Sequence, residues 1–155
     1  MTISAQLKSH LAQAHVSYLP IYHLPTRAAQ FTAAVLQVPG KEVAKTVAFR
    51  AGNAYLLAVL PASSYVDLKK LEAVVGRPVQ LLNKEECGEL FPDCDDSAIP
   101  PFGELYGLAV YMDQALADNP EIIFNAGTRF DSIQMSNVDF VRLVKPHICS
   151  FAEKS

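Results

Sequence analysis

Residues 43–60 read VAKTVAFRAGNAYLLAVL, and this stretch decides the fold. Two apolar, β-rich runs flank Gly52-Asn53, a dipeptide typical of tight turns between antiparallel strands. The stretch therefore predicts a β-hairpin. Outward from it, DLKKLEAVVG (67–76) predicts an amphipathic helix that stops at Gly76. Four further runs predict strands: PVQLL (78–82), GLAVYMD (107–113), EIIFNAG (121–127) and SIQMS (132–136).

Prolines and capping residues set the other boundaries. Pro20 makes residues 16–22 an edge strand or extended segment, because proline cannot donate to a neighbouring strand. A second helix is expected after Pro25-Thr26, ending at Pro39-Gly40. Its predicted inward face is Ala28, Phe31 and Val35; that of helix 67–76 is Leu68, Leu71 and Val75. The expected caps are Ser4 for the first helix, Asn83 with Glu86 for a helix through Leu90, and Ser136 with Asp139 for the last helix.

The predicted order is α β α β β α β α, then a loop, then β β β α. Hairpins outnumber βαβ units, which favours a mixed α/β domain of the α+β type with a largely antiparallel sheet. A length of 155 residues suits one domain, 1–155, and no repeat or linker divides it.

Charge and hydropathy exclude several classes. The net charge of −3 argues against a protein that grips long nucleic acid, although contact with a short nucleic-acid end remains open. No apolar run approaches the roughly 20 residues that span a membrane, and the N-terminus has no signal-peptide pattern. We therefore expect a cytoplasmic protein without membrane contact.

Cysteine and histidine patterns indicate neither a disulfide framework nor a metal site. The three cysteines (87, 94 and 149) form no close pair, and the four histidines are scattered. Glycine-rich phosphate motifs and nucleophile motifs are also absent from the sequence. We expect no metal and no other cofactor.

Two features could carry chemistry. The segment DDSAIPPFG (95–103) is stiffened by its prolines, so it is either a structural corner or a loop that aims backbone N–H groups at an anion. In the second reading, Gly103 permits a close approach to a ligand. Lys45, in an otherwise apolar strand, is either a residue that protects a sheet edge or a cation held at a cleft.

Four stretches together resemble the YbaK and prolyl-tRNA-synthetase-associated family. They are VAKTVAF, LAVLPASSYVDLKKLEAVVG, LFPDCDDSAIPPFGELYGLAVYMD and IIFNAGTRFDSIQMSNVDFVRLV, in the family's order over nearly the whole chain. Members of that family are aminoacyl-tRNA deacylases, which hydrolyse the ester between a wrongly attached amino acid and the terminal adenosine. The resemblance implies a barrel-like mixed sheet surrounded by helices, no metal, and the acceptor end of aminoacyl-tRNA as partner. An aminoacyl-tRNA synthetase is a further candidate partner, and the oligomeric state stays open.

The resemblance also implies a site. Lys45 would lie in the active site, and the loop would supply backbone contacts at the reacting ester. Pocket candidates by position are His23, Phe31, Asn125 and Gly127; the alternatives are a surface histidine for His23 and core packing for Phe31. The loop residues are Ser97, Pro100, Pro101, Phe102 and Gly103. Ser97 departs from the family, which usually has glycine there, and this puts the loop's geometry in question.

These features favour hydrolysis of a mischarged tRNA that carries a small amino acid. A water oriented by backbone groups and by the substrate's ribose hydroxyl would attack, with Lys45 assisting. The alternative is a module that binds aminoacyl-tRNA ends or a synthetase without hydrolysis, which Ser97 and the acidic residues 85–96 favour. A general small-molecule hydrolase has no nucleophile motif to support it.

Overall fold

The structure, a computed structural model, describes residues 4–25, 29–95 and 98–154, with the side chains of residues 30 and 31 outside that description. The helices are α1 (Ala5–Gln13), α2 (Ala29–Leu36), α3 (Leu68–Val75), α4 (Lys84–Leu90), α5 (Gln114–Ala117) and α6 (Asn137–Val144), with 3-10 turns at Gly40–Glu42 and Gly103–Leu105. The strands are β1 (Tyr18–Tyr22), β2 (Ala44–Ala51), β3 (Ala54–Pro61), β4 (Ser64–Val66), β5 (Gln80–Leu81), β6 (Ala109–Asp113), β7 (Glu121–Asn125), β8 (Asp131–Ser136), β9 (His147–Cys149) and β10 (Ala152–Lys154).

The predicted hairpin forms the centre of the larger sheet. β2 and β3 pair antiparallel from Ala44–Pro61 to Ala51–Ala54, and Gly52 takes the positive φ of 64° that the turn requires. The five-stranded order is β5-β2-β3-β6-β9, with the β3–β6 and β6–β9 pairs parallel. β1-β8-β7 forms an antiparallel three-stranded sheet, and β10 pairs with β4. The mixed, largely antiparallel α/β fold is confirmed; the barrel-like closure stays a prediction.

Side-chain alternation along β2 divides the core. Ala44 and Ala48 face the main hydrophobic cluster, which contains Phe102, Phe124 and Phe140. Phe49 and Ala51 point to the opposite face. A second cluster on that face includes Leu60, Leu71 and Phe151. A third, small cluster lies beneath α2 and consists of Ala29, Ala33, Val43, Ala62 and Ile123.

One parallel bridge, Val43–Ile123, links the entry of β2 to β7. Residues bridged in this way point to the same side of both strands, and Val43 and Ile123 do share the cluster beneath α2. Two residues further along each strand stand Lys45 and Asn125. The alternation therefore places these two side chains on one face, where β2 and β7 begin to separate.

The local signals in the sequence are largely confirmed. Ser4 caps α1 by accepting from the Leu7 backbone N–H, and Asn83 with Glu86 forms a complete capping box on α4. β1 with Pro20 is an edge strand of its sheet. Ser136 stands at the N-cap of α6 as predicted, with Asp139 in the first turn, but the Ser136 side chain makes no capping hydrogen bond.

Two helix faces also differ from expectation. Val35 is 39% exposed, and the buried face of α2 is formed by Ala29 and Ala33. Small residues fit there because the helix rests directly over the Val43–Ile123 bridge, where little space is left. Leu68, at the first turn of α3, is 51% exposed, and Leu71 is the residue that α3 buries. Ala28 lies outside the described residues.

Two glycine-to-alanine substitutions test the packing of this fold. A Cβ on Gly103 would meet the Leu108 carbonyl oxygen and would lie 2.6 Å from Val110 Cγ2, whereas a Cβ on the helical Gly88 meets nothing within 4 Å. We expect Gly103→Ala to lower the free energy of unfolding by about 1–3 kcal/mol. Gly88→Ala should raise it by about 0.5–1 kcal/mol. Urea unfolding of both variants checks this, and equal effects would contradict the placement of Gly103.

Candidate active site

His23 is a buried residue, which excludes the surface alternative. It follows β1, is 8% exposed, and its backbone N–H donates to the Phe130 carbonyl at 2.8 Å. Its ring Nδ1 lies 2.7 Å from the Leu24 carbonyl and its Nε2 lies 2.8 Å from Ser132 Oγ. A carbonyl only accepts, so Nδ1 carries a proton. In the neutral ring, Nε2 then accepts from the Ser132 hydroxyl.

Asn125, the last residue of β7, completes this polar cluster. Its Oδ1 accepts from Thr32 Oγ1 of α2 at 3.1 Å and lies 3.4 Å from Ser132 Oγ. The residue is 6% exposed, and among the described residues its Nδ2 has no hydrogen-bond partner. A buried donor left without a partner costs about 1–3 kcal/mol, which an accepting ligand atom would recover. This amide is therefore suited to bind a carbonyl or hydroxyl oxygen.

Lys45 lies on the same face as Asn125 and is partly buried. Its ammonium donates to the backbone carbonyl of Ser64. Desolvation lowers the pKa of this lysine from its ordinary value. β5 pairs with β2 at Phe49 and Arg50, four and five residues along the strand from Lys45. A partly desolvated ammonium interacts more strongly with an anionic or carbonyl ligand than one in bulk water.

The proline loop is attached to the end of β7 through main-chain atoms. The Gly127 N–H donates to the Ala98 carbonyl at 2.9 Å, and the Asp95 N–H donates to the Gly127 carbonyl at 2.8 Å. Gly127 has a φ of 99°, which disfavours any residue with a Cβ. Asp95 Oδ2 also accepts from the Arg129 N–H at 2.9 Å. Gly127, two residues after Asn125, is therefore the anchor that holds the start of the loop.

The remainder of the loop enters the core. Ile99 packs in the main cluster and lines a groove beside Thr46, while Pro100 and Pro101 are buried. Phe102 has no exposed surface and packs against Phe124 and Phe140, so its side chain is part of the core, and its predicted role in substrate binding stays a prediction.

One backbone donor of the loop and its glycine also have internal partners. Gly103 closely approaches Leu108 and Val110, its own chain. The Ala98 N–H donates to the Asp95 carbonyl at 3.0 Å. Ser97 and the side chain of Phe31 lie outside the described residues, so their predicted roles stay predictions.

The structure thus links Asn125 and His23 through Ser132, places the Gly127 anchor two residues from Asn125, and puts Lys45 on the same face as Asn125. Sequence reasoning missed Thr32 and Ser132, which position the Asn125 amide and the His23 ring. The sequence held only a weak signal for Ser132, namely that it is a polar residue on the strand SIQMS, next to the buried Ile133 and Met135.

The described residues carry no signature of a metal site or of a membrane-spanning helix. No group of three or more histidine, cysteine or acidic side chains there is arranged to hold a metal ion. Within that part of the chain, no helix combines the length and apolar character needed to cross a membrane.

Comparison with solved structures first defines the class of fold. A protein proposed as a trans-editing enzyme for prolyl tRNA synthetase superposes with a TM-score of 0.83 at 22% identity, covering 97% of this chain and 96% of that one. A hypothetical protein superposes with a TM-score of 0.87 at 18% identity, covering 96% and 99% of the two chains. At these identities the likeness shows the fold alone.

Sequence comparison then shows the family. Residues 23–143 match the family model described as the aminoacyl-tRNA editing domain, and this chain belongs to that family. The match includes Lys45, the proline loop and Asn125.

Curated relatives agree with this assignment. A protein of Escherichia coli strain K12, named multifunctional Ser/Thr-tRNA deacylase ProXp-y, is 33% identical over 101 residues. The protein of the same name from Escherichia coli O157:H7 matches equally. The alignment covers 64% of this chain and 60% of each relative, so the chain spans about three fifths of the relatives' length.

The ionisation of Glu104, which directly follows the loop, should make the free energy of unfolding depend on pH. Its Oε1 lies 3.6 Å from His10 Nε2, and partial desolvation of this carboxyl group, whose side chain is 32% exposed, raises its pKa from the usual 4.5 to about 7. The folded protein therefore holds this proton more tightly than the unfolded chain does. Its free energy of unfolding should fall as the pH rises through the interval between those two values.

Glu104→Gln should remove this part of the pH dependence, because glutamine stays neutral. We expect the variant to gain stability relative to the unsubstituted protein between about pH 5 and about pH 8. Urea unfolding at both pH values measures the gain. The exposed Glu89→Gln serves as the control and should show a smaller pH-dependent difference. Parallel behaviour of Glu104→Gln and the unsubstituted protein would contradict the burial of this carboxyl group.

Proposed function

We propose that this chain hydrolyses the ester of a mischarged tRNA that carries a small amino acid. The observation that carries the proposal is the buried Asn125 Nδ2, which lacks a partner among the described residues and shares a face with Lys45. Membership of the aminoacyl-tRNA editing family supports the same assignment. The proposed partner is the acceptor end of aminoacyl-tRNA in the cytoplasm, with a synthetase as a further candidate.

An aminoacyl ester is already activated, so the protein has mainly to position the reactants and stabilise charge. Water adds to the ester carbonyl carbon, the bond from that carbon to the ribose oxygen breaks, and the ribose oxygen takes up a proton. The Asn125 amide and the Lys45 ammonium are the donors proposed for the carbonyl oxygen or an adjacent phosphate. The substrate's own ribose hydroxyl and the loop backbone are proposed to orient the water.

The polar cluster favours a substrate side chain that can form hydrogen bonds. Thr32, Ser132 and His23 surround the Asn125 amide, while the nearby Ala29, Ala33 and Ile123 leave the rest of the surroundings apolar. Serine and threonine, which the name of the curated relatives specifies, fit this combination. A site that bonds a hydroxyl rejects analogues that lack one, because its buried polar groups would be left unpaired.

A panel of mischarged tRNAs tests the function. We expect the protein to release the amino acid from Ser- or Thr-charged tRNA faster than spontaneous hydrolysis, and to act less on the Ala- and Cys-charged forms. Release of labelled amino acid over time is the measurement. Binding of charged tRNA without accelerated release of any of the four would contradict hydrolysis and support the alternative, a non-hydrolytic binding module.

Substitution of the two proposed donors tests the mechanism. Asn125→Ala and Lys45→Ala should each lower kcat by about 10²–10³, the usual cost of removing one donor from a developing oxyanion. The exposed Lys69→Ala is the matched control and should leave kcat unchanged. Single-turnover deacylation gives the rates, and urea unfolding confirms that each variant is folded. Undiminished kcat in a folded Lys45→Ala protein would remove Lys45 from the mechanism.

A further inference from the structure

A cavity of about 500 Å³ lies beyond Lys45, at the end of the sheet where β2 and β7 begin and β3 ends. Its polar lining comes from Lys41, Ser63, Ser64, Asn119 and Lys154, and we refer to it as the basic cavity. Asn119 Nδ2 donates to the Lys41 carbonyl at 2.8 Å and so ties the lysine-bearing turn to the start of β7. The walls thus come from separate elements held together by named contacts.

Ser64 connects the basic cavity to the candidate active site. Its carbonyl accepts from the Lys45 ammonium, and the residue also lines the cavity. In the β4–β10 ladder, Ser64 stands directly opposite Lys154, so the two side chains share a face. Ser64 is therefore contacted by Lys45 and lies opposite Lys154. Lys41 lines the same cavity.

The basic cavity has an unbalanced positive charge. No acidic residue is among the residues that line it, and within the described chain no carboxylate pairs with Lys41 or Lys154. The acidic neighbour on β10, Glu153, pairs with Lys70. Glu42 and Glu121 line the neighbouring pocket, which shares Asn119 with the basic cavity, and neither of them lines the basic cavity itself. In a chain of net charge −3, this local excess of positive charge favours an anion.

We propose that the basic cavity binds the phosphodiester backbone of the tRNA acceptor end, next to the terminal nucleotide whose ester reaches Lys45. This inference rests on the proposed function. The volume falls within the roughly 300–1,000 Å³ of small-molecule sites, so it suits a nucleotide unit better than a lone phosphate ion. Lysine ammonium groups bind phosphates as point charges, and a ribose separates the reacting ester from the nearest phosphate.

The test compares two double variants in their binding of an uncharged acceptor-stem RNA hairpin. Lys41→Ala/Lys154→Ala removes the two free ammonium groups of the basic cavity. Lys8→Ala/Lys145→Ala removes two lysines from α1 and from the end of α6, outside the cavity lining. Fluorescence anisotropy at several salt concentrations gives the affinity and its salt dependence. Because no hydrolysis is needed, failure of this proposal is distinguishable from failure of the proposed function.

We expect the cavity variant to bind the hairpin more weakly and to lower the slope of log K against log salt by about 1 for each lysine removed. In the deacylation assay, KM should rise while kcat stays close to its original value. Equal losses in both double variants, or no loss in the cavity variant, would overturn the proposal. Inorganic phosphate that competes with the hairpin at equal concentration would also overturn it, because the cavity would then be a small-anion site.

Discussion

The Val43–Ile123 bridge is the contact on which the candidate site depends. Among the described residues, no extended ladder joins the five-stranded sheet to the three-stranded one. This bridge therefore determines which side chains of β7 lie on the same side as which side chains of β2. A shift by one residue would turn Asn125 toward the main core and leave Lys45 without a polar partner on its face. The small residues Ala29, Ala33 and Ala62 surround the bridge, and their size lets α2 and the strand ends approach it closely.

Burial determines how strongly the polar cluster can act. Thr32, Ser132, His23 and Asn125 bond to one another beside an apolar cluster, where water does not compete for their donors. In such surroundings a satisfied hydrogen bond is strong and an unsatisfied one is costly. The cluster satisfies nearly all its members, which holds the Asn125 amide in a fixed orientation. The Asn125 Nδ2, which has no partner among the described residues, is therefore preorganised, and a ligand that binds it loses little free energy in ordering it.

Local sequence signals predicted the fold well. Short patterns were sufficient to predict the features that depend on residues close together in the sequence. These are the hairpin, the Asn83–Glu86 capping box and the end of α3 at Gly76. Val35 was wrongly placed on the buried face of α2, because helical periodicity cannot show that a bridge between distant strands restricts the space beneath a helix. Short strands such as β4 and β10 were missed because they are stabilised by pairing with each other across the chain.

The site was less predictable, for the same reason. Lys45 and the proline loop came from a resemblance to a known family. Asn125 and His23 were proposed by position, but the hydrogen bonds that hold them join residues about a hundred positions apart: Thr32 to Asn125, and His23 to Ser132. The prolines showed that the loop is stiff. They could not show that Gly127 anchors it, since that contact is made by backbone atoms, which carry no signature in the sequence.

That anchor has a consequence for substitution. Ala98 and Asp95 hold Gly127 through main-chain atoms, so these two contacts do not depend on which side chains residues 95 and 98 carry. Gly127 differs from them, because its φ of 99° is strained for any residue with a Cβ. Of the three positions, 127 should therefore tolerate substitution least.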